Sequence, residues 1–259
     1  MALLLSIESV SREFSTRGKT VLALDSLALG VDEGEFVTVV GPSGCGKSTL
    51  LNLIVGLLPL SAGRILFRNR PVDGINPEIG YVTQKDNLLP WRTLVQNVEL
   101  ALEIRGVEKS QRRRRAEELI AQVGLNGFEE HYPHELSGGM RQRANIIRTL
   151  IYDPELILMD EPFGPLDAQT RIVLQDQLLK LWSASRKTIL FITHDLVEAI
   201  ALADRVVVMT SRPGRVKHVA AVPIPRPRDV YQIHSSQDFR QVHERLWREL
   251  RPEVTMAET

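Results

Sequence analysis

The sequence predicts an α/β fold built on a mostly parallel sheet with a helical unit inserted into it. Three observations carry that expectation. The runs Phe36–Val40 (FVTVV), Leu156–Met159 (LILM), Thr188–Thr193 (TILFIT) and Val206–Met209 (VVVM) are largely apolar without strict alternation, as in strands covered on both faces. Helical patterns separate most of them, and strand–helix–strand alternation implies a parallel sheet with helices on its faces. The 259 residues, 43% hydrophobic and 25% charged, suffice for a sizeable core without disulfide or metal staples.

The elements follow in order. Leu27, Leu29 and Val31 alternate with small or polar residues, as a half-buried strand would. Gly41 ends the Phe36–Val40 strand, and a helical pattern runs from Lys47 to about Leu57. Gly63–Phe67 and Ile79–Val82 are further short strands. Apolar positions then take helical spacing over Thr93–Arg105 (Leu94, Val98, Ala101, Leu102) and Ser110–Gly124 (Ala116, Leu119, Ile120, Val123). Ser137–Ile151 is a third helix, opened by a polar cap and two glycines. These three make the helical insert. After strands resume, Asp195 and Glu198 have the spacing of a capping box. Pro213–Pro227 is rich in proline and arginine, and the last thirty residues read as an irregular segment plus one helix, Asp238–Leu250. There is no internal repeat and no sustained heptad pattern.

Charge and cysteine content narrow the function classes. Lys+Arg and Asp+Glu both number 32, which weakens any reading built on a globally basic surface. The local exception is Arg112–Arg115, with Arg105 and Lys109 nearby. Helical spacing pairs Arg113 with Glu117 and Arg114 with Glu118, so a solvated helix face is expected there and no nucleic-acid partner. The single cysteine, Cys45, excludes an intramolecular disulfide and fits a reducing compartment. The longest apolar stretch, Leu50–Leu60, is broken by Asn52, Gly56 and Pro59, whereas a membrane span needs roughly twenty residues. The Met1-Ala2-Leu3-Leu4-Leu5 run lacks a basic lead and is soon interrupted by Glu8. A soluble cytoplasmic chain is expected, free to dock onto something in a membrane.

Three motifs carry chemistry. Gly41-Pro42-Ser43-Gly44-Cys45-Gly46-Lys47-Ser48 fits G-x-x-x-x-G-K-[ST], a P-loop between a predicted strand and a predicted helix. Its glycines let backbone N–H groups turn inward around a phosphate, aided by the helix N-terminus. Lys47 would reach the β- and γ-phosphates, and the Ser48 hydroxyl would bind Mg²⁺. Asp160 and Glu161 end a buried strand, where ligands collect in open α/β sheets. Asp160 suits the Mg²⁺ shell of a nucleotide, and Glu161 a general base polarising water. In Leu136-Ser137-Gly138-Gly139-Met140-Arg141-Gln142-Arg143, Ser137 caps a helix whose first amides stay open, a second phosphate-binding end. P-loop kinases and GTPases need only the first.

With these residues the chain resembles the nucleotide-binding subunit of an ATP-binding cassette (ABC) transporter, over roughly residues 5 to 215. The resemblance implies the ABC ATPase form of the P-loop NTPase fold: a RecA-like parallel-sheet core with an antiparallel β subdomain (1–86 and 152–215), a helical signature subdomain (87–151) and a C-terminal extension (216–259). It implies an ATP site from Phe14, which stacks on adenine, from Gly41 through Thr49, and from Gln84, with Mg²⁺ on Ser48, Gln84 and Asp160. Catalysis falls to Glu161, His194 (ITHD) and Lys47. Ser137, Gly138, Gly139 and Met140 form a signature that acts on nucleotide held by another subunit, and Asp167 (PLD) matches the D-loop. Met140 departs from the commonest glutamine, a change tolerated in importer-type subunits. Cys45 reads as a filler of the loop, yet its nearness to the phosphate site implies that bulky alkylation abolishes ATP hydrolysis and that ATP protects.

The same resemblance implies a working state of two copies sandwiching two ATP molecules. Because no transmembrane part is fused to the cassette, it implies separate permease subunits and, indirectly, a periplasmic or lipid-anchored solute-binding protein, with this chain peripheral on the cytoplasmic face of the inner membrane. YPHELSGGM, NLLPWRTLVQNV and PRPRDVYQIHSSQDFRQVHERLWREL resemble the nitrate/sulfonate/taurine importer branch. Leu88-Leu89-Pro90-Trp91 reads either as core of the helical insert or as part of a groove for a permease helix. A soluble ABC ATPase acting on DNA, ribosomes or cluster assembly is the alternative, although neither long coiled coils nor a second cassette is present. A stand-alone P-loop kinase would leave the signature and Asp167 unused.

Overall fold

The computed structural model describes residues 3–16 and 18–257. The chain opens with two long antiparallel strands, β1 (Leu3–Thr16) and β2 (Lys19–Asp32), then enters β3 (Phe36–Val40) and α1 (Lys47–Ile54). Met1 and Ala2 of the N-terminal apolar run lie outside the described residues, and Leu3–Leu5 open β1. Next come β4 (Ala62–Phe67), the two-residue β5 (Arg70–Pro71) and β6 (Ile79–Val82). Three helices follow, α2 (Leu94–Ile104), α3 (Lys109–Gln122) and α4 (Gly138–Leu150). The remainder is β7 (Leu156–Asp160), α5 (Ala168–Ser185), β8 (Thr188–Thr193), α6 (Leu196–Leu202), β9 (Arg205–Met209), β10 (Val216–Ala221) and α7 (Gln237–Ala257).

Two sheets result. One is antiparallel, in the order β2-β1-β4-β5; the other runs β10-β9-β3-β8-β7-β6, parallel except for the edge strand β10. Side-chain alternation sends each central strand to two cores. In β3, Phe36 and Val40 join Trp182, Phe191, Leu178 and Ala199 on the α5–α6 face, with Phe36 edge-on to Trp182 at 5.9 Å. Val37 and Val39 face the other way, with Leu50, Leu51 and Ile54 of α1 and Leu5, Leu27 and Ile65 of the antiparallel sheet. The α2–α4 helices bury a third cluster, including Leu94, Val98, Ala116, Ile120 and Ile147. The P-loop follows β3, Asp160 and Glu161 follow one another at the end of β7, and His194 follows β8, so these residues share the C-terminal ends of three adjacent parallel strands.

Several local expectations shift. The α1 helix ends at Ile54 instead of Leu57, because the Leu57 and Leu58 amides turn back onto the Asn52 carbonyl. The Asp195–Glu198 capping box is half-made: Asp195 accepts from the Val197 and Glu198 amides. The Glu198 carboxylate turns inward and accepts from Gln175 Nε2 at 2.9 Å, joining α6 to α5. Within the proline- and arginine-rich stretch lies a strand, β10, paired to β9. The C-terminal helix runs from Gln237 through Pro252 to Ala257. Residues 216–257 thus supply the edge of the main sheet and, through Phe239, Val242, Leu246 and Leu250, part of its core.

The arginine run behaves as its spacing implies. Arg113 pairs with Glu117 at 2.8 Å and also with Glu130, Arg114 pairs with Glu118 at 3.7 Å, and Arg112 reaches Glu99 at 3.5 Å. The Leu88–Trp91 segment divides: Leu88 packs into the helical core, while Trp91 is 71% exposed. Among the described residues no helix is long and apolar enough to cross a membrane.

Candidate active site

The P-loop leaves β3 and enters α1 with Gly44 at φ 75° and Gly46 at φ 104°. Gly46 is required twice over. Its backbone lies in the left-handed region, and a Cβ there would come within 2.7 Å of Leu24 and 3.0 Å of the Ala23 carbonyl. Lys47, buried at the start of α1, donates from Nζ to the carbonyls of Gly41 (2.9 Å) and Pro42 (3.1 Å). The loop is thereby closed around its own lysine.

A cleft of ≈ 490 Å³ opens on this loop. Ser43, Gly44, Gly46, Lys47, Ser48 and Thr49 form its floor. Phe14, Val21 and Ala23 form one wall, and Gln84, Asp160, Glu161 and Arg212 complete it. Gly41, Pro42 and Cys45 lie beneath the lining. The Phe14 ring faces the cleft wall instead of the core, with the Arg12 guanidinium 4.7 Å from its centroid. Cys45 is 1% exposed and belongs to the core between the two sheets, its sulfur tucked against Gly41. Burial pushes its thiol pKa up. This burial fits the reading of Cys45 as a filler of the loop.

The two strand-end carboxylates have different surroundings. Asp160 accepts from the Ser48 hydroxyl at 3.1 Å and from the Tyr81 hydroxyl at 3.4 Å. Burial raises its pKa; the Ser48 hydrogen bond opposes this and the Glu161 charge adds to it. Ser48, Asp160 and Gln84 bring hydroxyl, carboxylate and amide oxygens to one cleft, a hard-oxygen donor set that fits Mg²⁺. Glu161 sits at φ 42°, a strained conformation for a non-glycine residue. Its amide donates to the Ile192 carbonyl at 3.0 Å and its carbonyl accepts from Gly164 at 3.1 Å. This fixes the carboxylate between Lys47 Nζ (3.8 Å) and His194 Nδ1 (3.0 Å). Two residues from two other motifs, Lys47 and His194, converge on Glu161.

The Ser137 helix end lies outside this cleft. Ser137 caps α4, accepting from the Met140 amide at 3.3 Å, and with Gly138 it is exposed. Gly139 is packed so closely on α5 that a Cβ would meet the Thr170 methyl at 2.8 Å. Asp167 caps α5 beside it, accepting from the Gln169 and Thr170 amides, and those amides hold its carboxyl pKa low. None of Ser137, Gly138, Gly139, Met140 and Asp167 lines the P-loop cleft. One guanidinium, Arg171, ties the two loops behind this surface, donating to Asp195 at 3.4 Å and to the Leu166 carbonyl at 3.3 Å.

Sequence reasoning missed Tyr81, the second donor to Asp160, and Arg212, which enters the cleft from the turn after β9. Tyr81 opens the Tyr81-Val82-Thr83-Gln84 stretch that carries Gln84, and Pro213-Gly214 marks the turn that carries Arg212.

Comparison with known proteins gives this geometry its setting. Residues 24–164 match the ABC transporter family. An uncharacterized ABC transporter ATP-binding protein of Methanocaldococcus jannaschii is 46% identical over 254 residues, covering 98% of this chain and 94% of that protein. A taurine import ATP-binding protein of Rhizobium johnstonii is 48% identical over 214 residues, 82% of each. Among solved structures, a dimeric ATP-binding cassette in a post-hydrolysis state with ADP and Pi superposes with a TM-score of 0.76 at 32% identity. It matches 85% of this chain and all of its own. This chain belongs to the ABC transporter family, as an ATP-binding subunit with the family's ATPase fold and activity.

Proposed function

We propose that the chain is the ATP-hydrolysing subunit of an importer for a small anion of the nitrate, sulfonate or taurine type. In this reading it works as a head-to-tail homodimer beneath separate permease subunits, peripheral on the cytoplasmic face of the inner membrane. A solute-binding protein is its indirect partner. The observation that carries the dimer is the separation of the two anion sites: the Ser137 helix end faces outward with Asp167, away from the cleft that holds Lys47. A second copy, turned head to tail, brings its signature to the first copy's P-loop. The taurine-import names of relatives support the solute class, and the exposed Trp91 supports a docking surface on the helical segment.

The working units follow the division 1–86 with 152–215, 87–151, and 216–259. In the nucleotide-binding unit Phe14 stacks on adenine, and the P-loop amides from Ser43 to Thr49 cradle the phosphates. Water attacks the γ-phosphorus in line and the bond to the ADP oxygen breaks. Glu161 takes the water's proton as general base, and His194, 3.0 Å from its carboxylate, fixes the direction of attack. On binding, Lys47 exchanges its carbonyl partners for phosphate oxygens and neutralises the charge that develops there. Mg²⁺ held by Ser48, Gln84 and Asp160 would supply further charge neutralisation on the β- and γ-oxygens.

Mixed chains test the shared site. Lys47→Ala and Ser137→Arg chains are each expected to be inactive alone. Mixed, they form heterodimers with one intact P-loop–signature pair, so ATP hydrolysis reappears. Absence of complementation, with both variants folded and able to dimerise, rejects the head-to-tail arrangement.

A further inference from the structure

Arg212 has no part in the chemistry above, yet it lines the same cleft as Lys47, Ser48 and Phe14. We propose that Arg212 is a ligand for the phosphate chain of the bound nucleotide, held over the P-loop by a turn that the C-terminal helix braces. This rests on the cleft being the nucleotide site.

Charge pairing sets Arg212 apart from its neighbours. Around the same sheet edge, Arg205 pairs with Glu35, Arg215 with Asp25, Lys217 with Glu253 and Arg226 with Asp204. Among the described residues no carboxylate pairs with Arg212. Its Nε and Nη2 donate to the Gly44 carbonyl, at 3.3 and 3.1 Å. A guanidinium presents five N–H donors in a planar fork, so most of its donor capacity is left for a ligand. An uncompensated cation fixed to the rim of a phosphate-cradling loop adds to a positive potential that an anion satisfies. Arginine in particular matches two phosphate oxygens at once.

The turn is built to hold that position. A side chain at Gly214 would put its Cβ 2.1 Å from the Cys45 carbonyl oxygen, so glycine lets the turn lie directly on the P-loop. The Gly214 amide donates to the Ala23 carbonyl at 2.9 Å, and the Asp25 amide returns a bond to the Gly214 carbonyl at 3.1 Å. Thr210 Oγ1 closes the turn, donating to the Pro213 carbonyl and accepting from the Arg215 amide, both at 2.9 Å. From outside, Glu253 of α7 accepts the Ser211 amide and Lys217 Nζ, each at 2.8 Å. The residue preceding Arg212 is thereby tied to the C-terminal helix. Arg212 is a binding residue and Glu253 its positioning residue.

The test is equilibrium binding of Mg·ATP, Mg·ADP and inorganic tripolyphosphate to wild type, Arg212→Ala, Arg212→Lys, Glu253→Gln and the double variant Arg212→Ala/Glu253→Gln, with ligand-free melting temperatures. Arg212→Ala is expected to weaken all three ligands about tenfold, the scale of one charge-assisted contact. Lys at 212 should restore part of the loss, with the ligand-free melting temperature unchanged. Glu253→Gln is expected to weaken ATP a few-fold in wild type and not at all in the Arg212→Ala background, the non-additivity of a residue that acts through another. Wild type that binds no Mg·ATP rejects the nucleotide-site reading itself. Normal wild-type binding overturns the Arg212 assignment alone if Arg212→Ala binds equally well, if its loss spares tripolyphosphate, or if the loss follows a fall in melting temperature that Lys does not rescue.

Discussion

Cys45 and Glu198 show burial as the largest influence on the chemistry of single residues in this chain. Cys45 lies in the P-loop sequence but its sulfur belongs to the core, and burial holds the thiol protonated above its ordinary pKa. Since the thiolate is the nucleophile, maleimide labelling of the native protein near neutral pH is expected to be at least about tenfold slower than labelling in denaturant. Native and denatured rates that coincide would contradict a buried thiol. Glu198 is almost wholly enclosed in α6 against Gln175 and Thr193, and burial raises its carboxyl pKa above the usual 4.5. The folded state therefore holds this proton at pH values where the unfolded chain has released it. By linkage, that contribution to stability is lost as pH rises through and above 4.5. Glu198→Gln keeps an acceptor for Gln175 and should remove this loss, flattening stability between mildly acidic and neutral pH in denaturant titrations. An unchanged slope would place the proton elsewhere.

At the scale of elements, the strand-end motifs are positioned by packing more than by their own sequences. The α7 helix covers the sheet with Phe239, Val242, Leu246 and Leu250, and Leu246 is fully buried. Leu246→Ala is expected to cost about 2–5 kcal/mol in urea unfolding, the range for an apolar side chain truncated in a close-packed core. A change below about 1 kcal/mol would mean that α7 is not part of that core. This packing also explains what was legible beforehand. The parallel strands are legible because β-branched runs such as FVTVV, ended by glycine, suit strands buried on both faces, and the P-loop because its glycines and lysine keep the phosphate-loop spacing between a strand and a helix. β10 was not readable: Val216–Ala221 carries Lys217 and His218 in an edge strand whose outward groups give no apolar run. The helix past Leu250 was hidden by Pro252, since its final turns are held by Glu253 contacts from other elements instead of by local propensity. Glu198 matched a capping box in spacing, but Gln175 on another helix offers its carboxylate a buried partner.

For the whole molecule, the chain is an ABC transporter family ATP-binding subunit with a net charge of zero, and among the described residues no helix is long and apolar enough to cross a membrane. In the proposed importer, the chain would deliver the energy of ATP through contacts with other chains, made by exposed features such as the Ser137 helix end and Trp91. The Ser137 helix end and Asp167 cap lie together on one surface, tied by Arg171 to the loop that bears His194. In the proposed head-to-tail dimer, a second copy docking on the Ser137 helix end would meet the framework that also holds the loop beside Glu161. If Glu161 is the base proposed above, Glu161→Gln keeps the shape of the site while removing it, and is expected to trap the nucleotide-bound pair. The most direct test is the solution mass of Glu161→Gln by light scattering with and without Mg·ATP. Nucleotide should shift it to twice the 29.2 kDa chain mass, and added Lys47→Ala in place of wild-type Lys47 should prevent the shift. A variant that binds Mg·ATP stoichiometrically, fails to hydrolyse it and stays at 29.2 kDa would contradict the shared-site dimer.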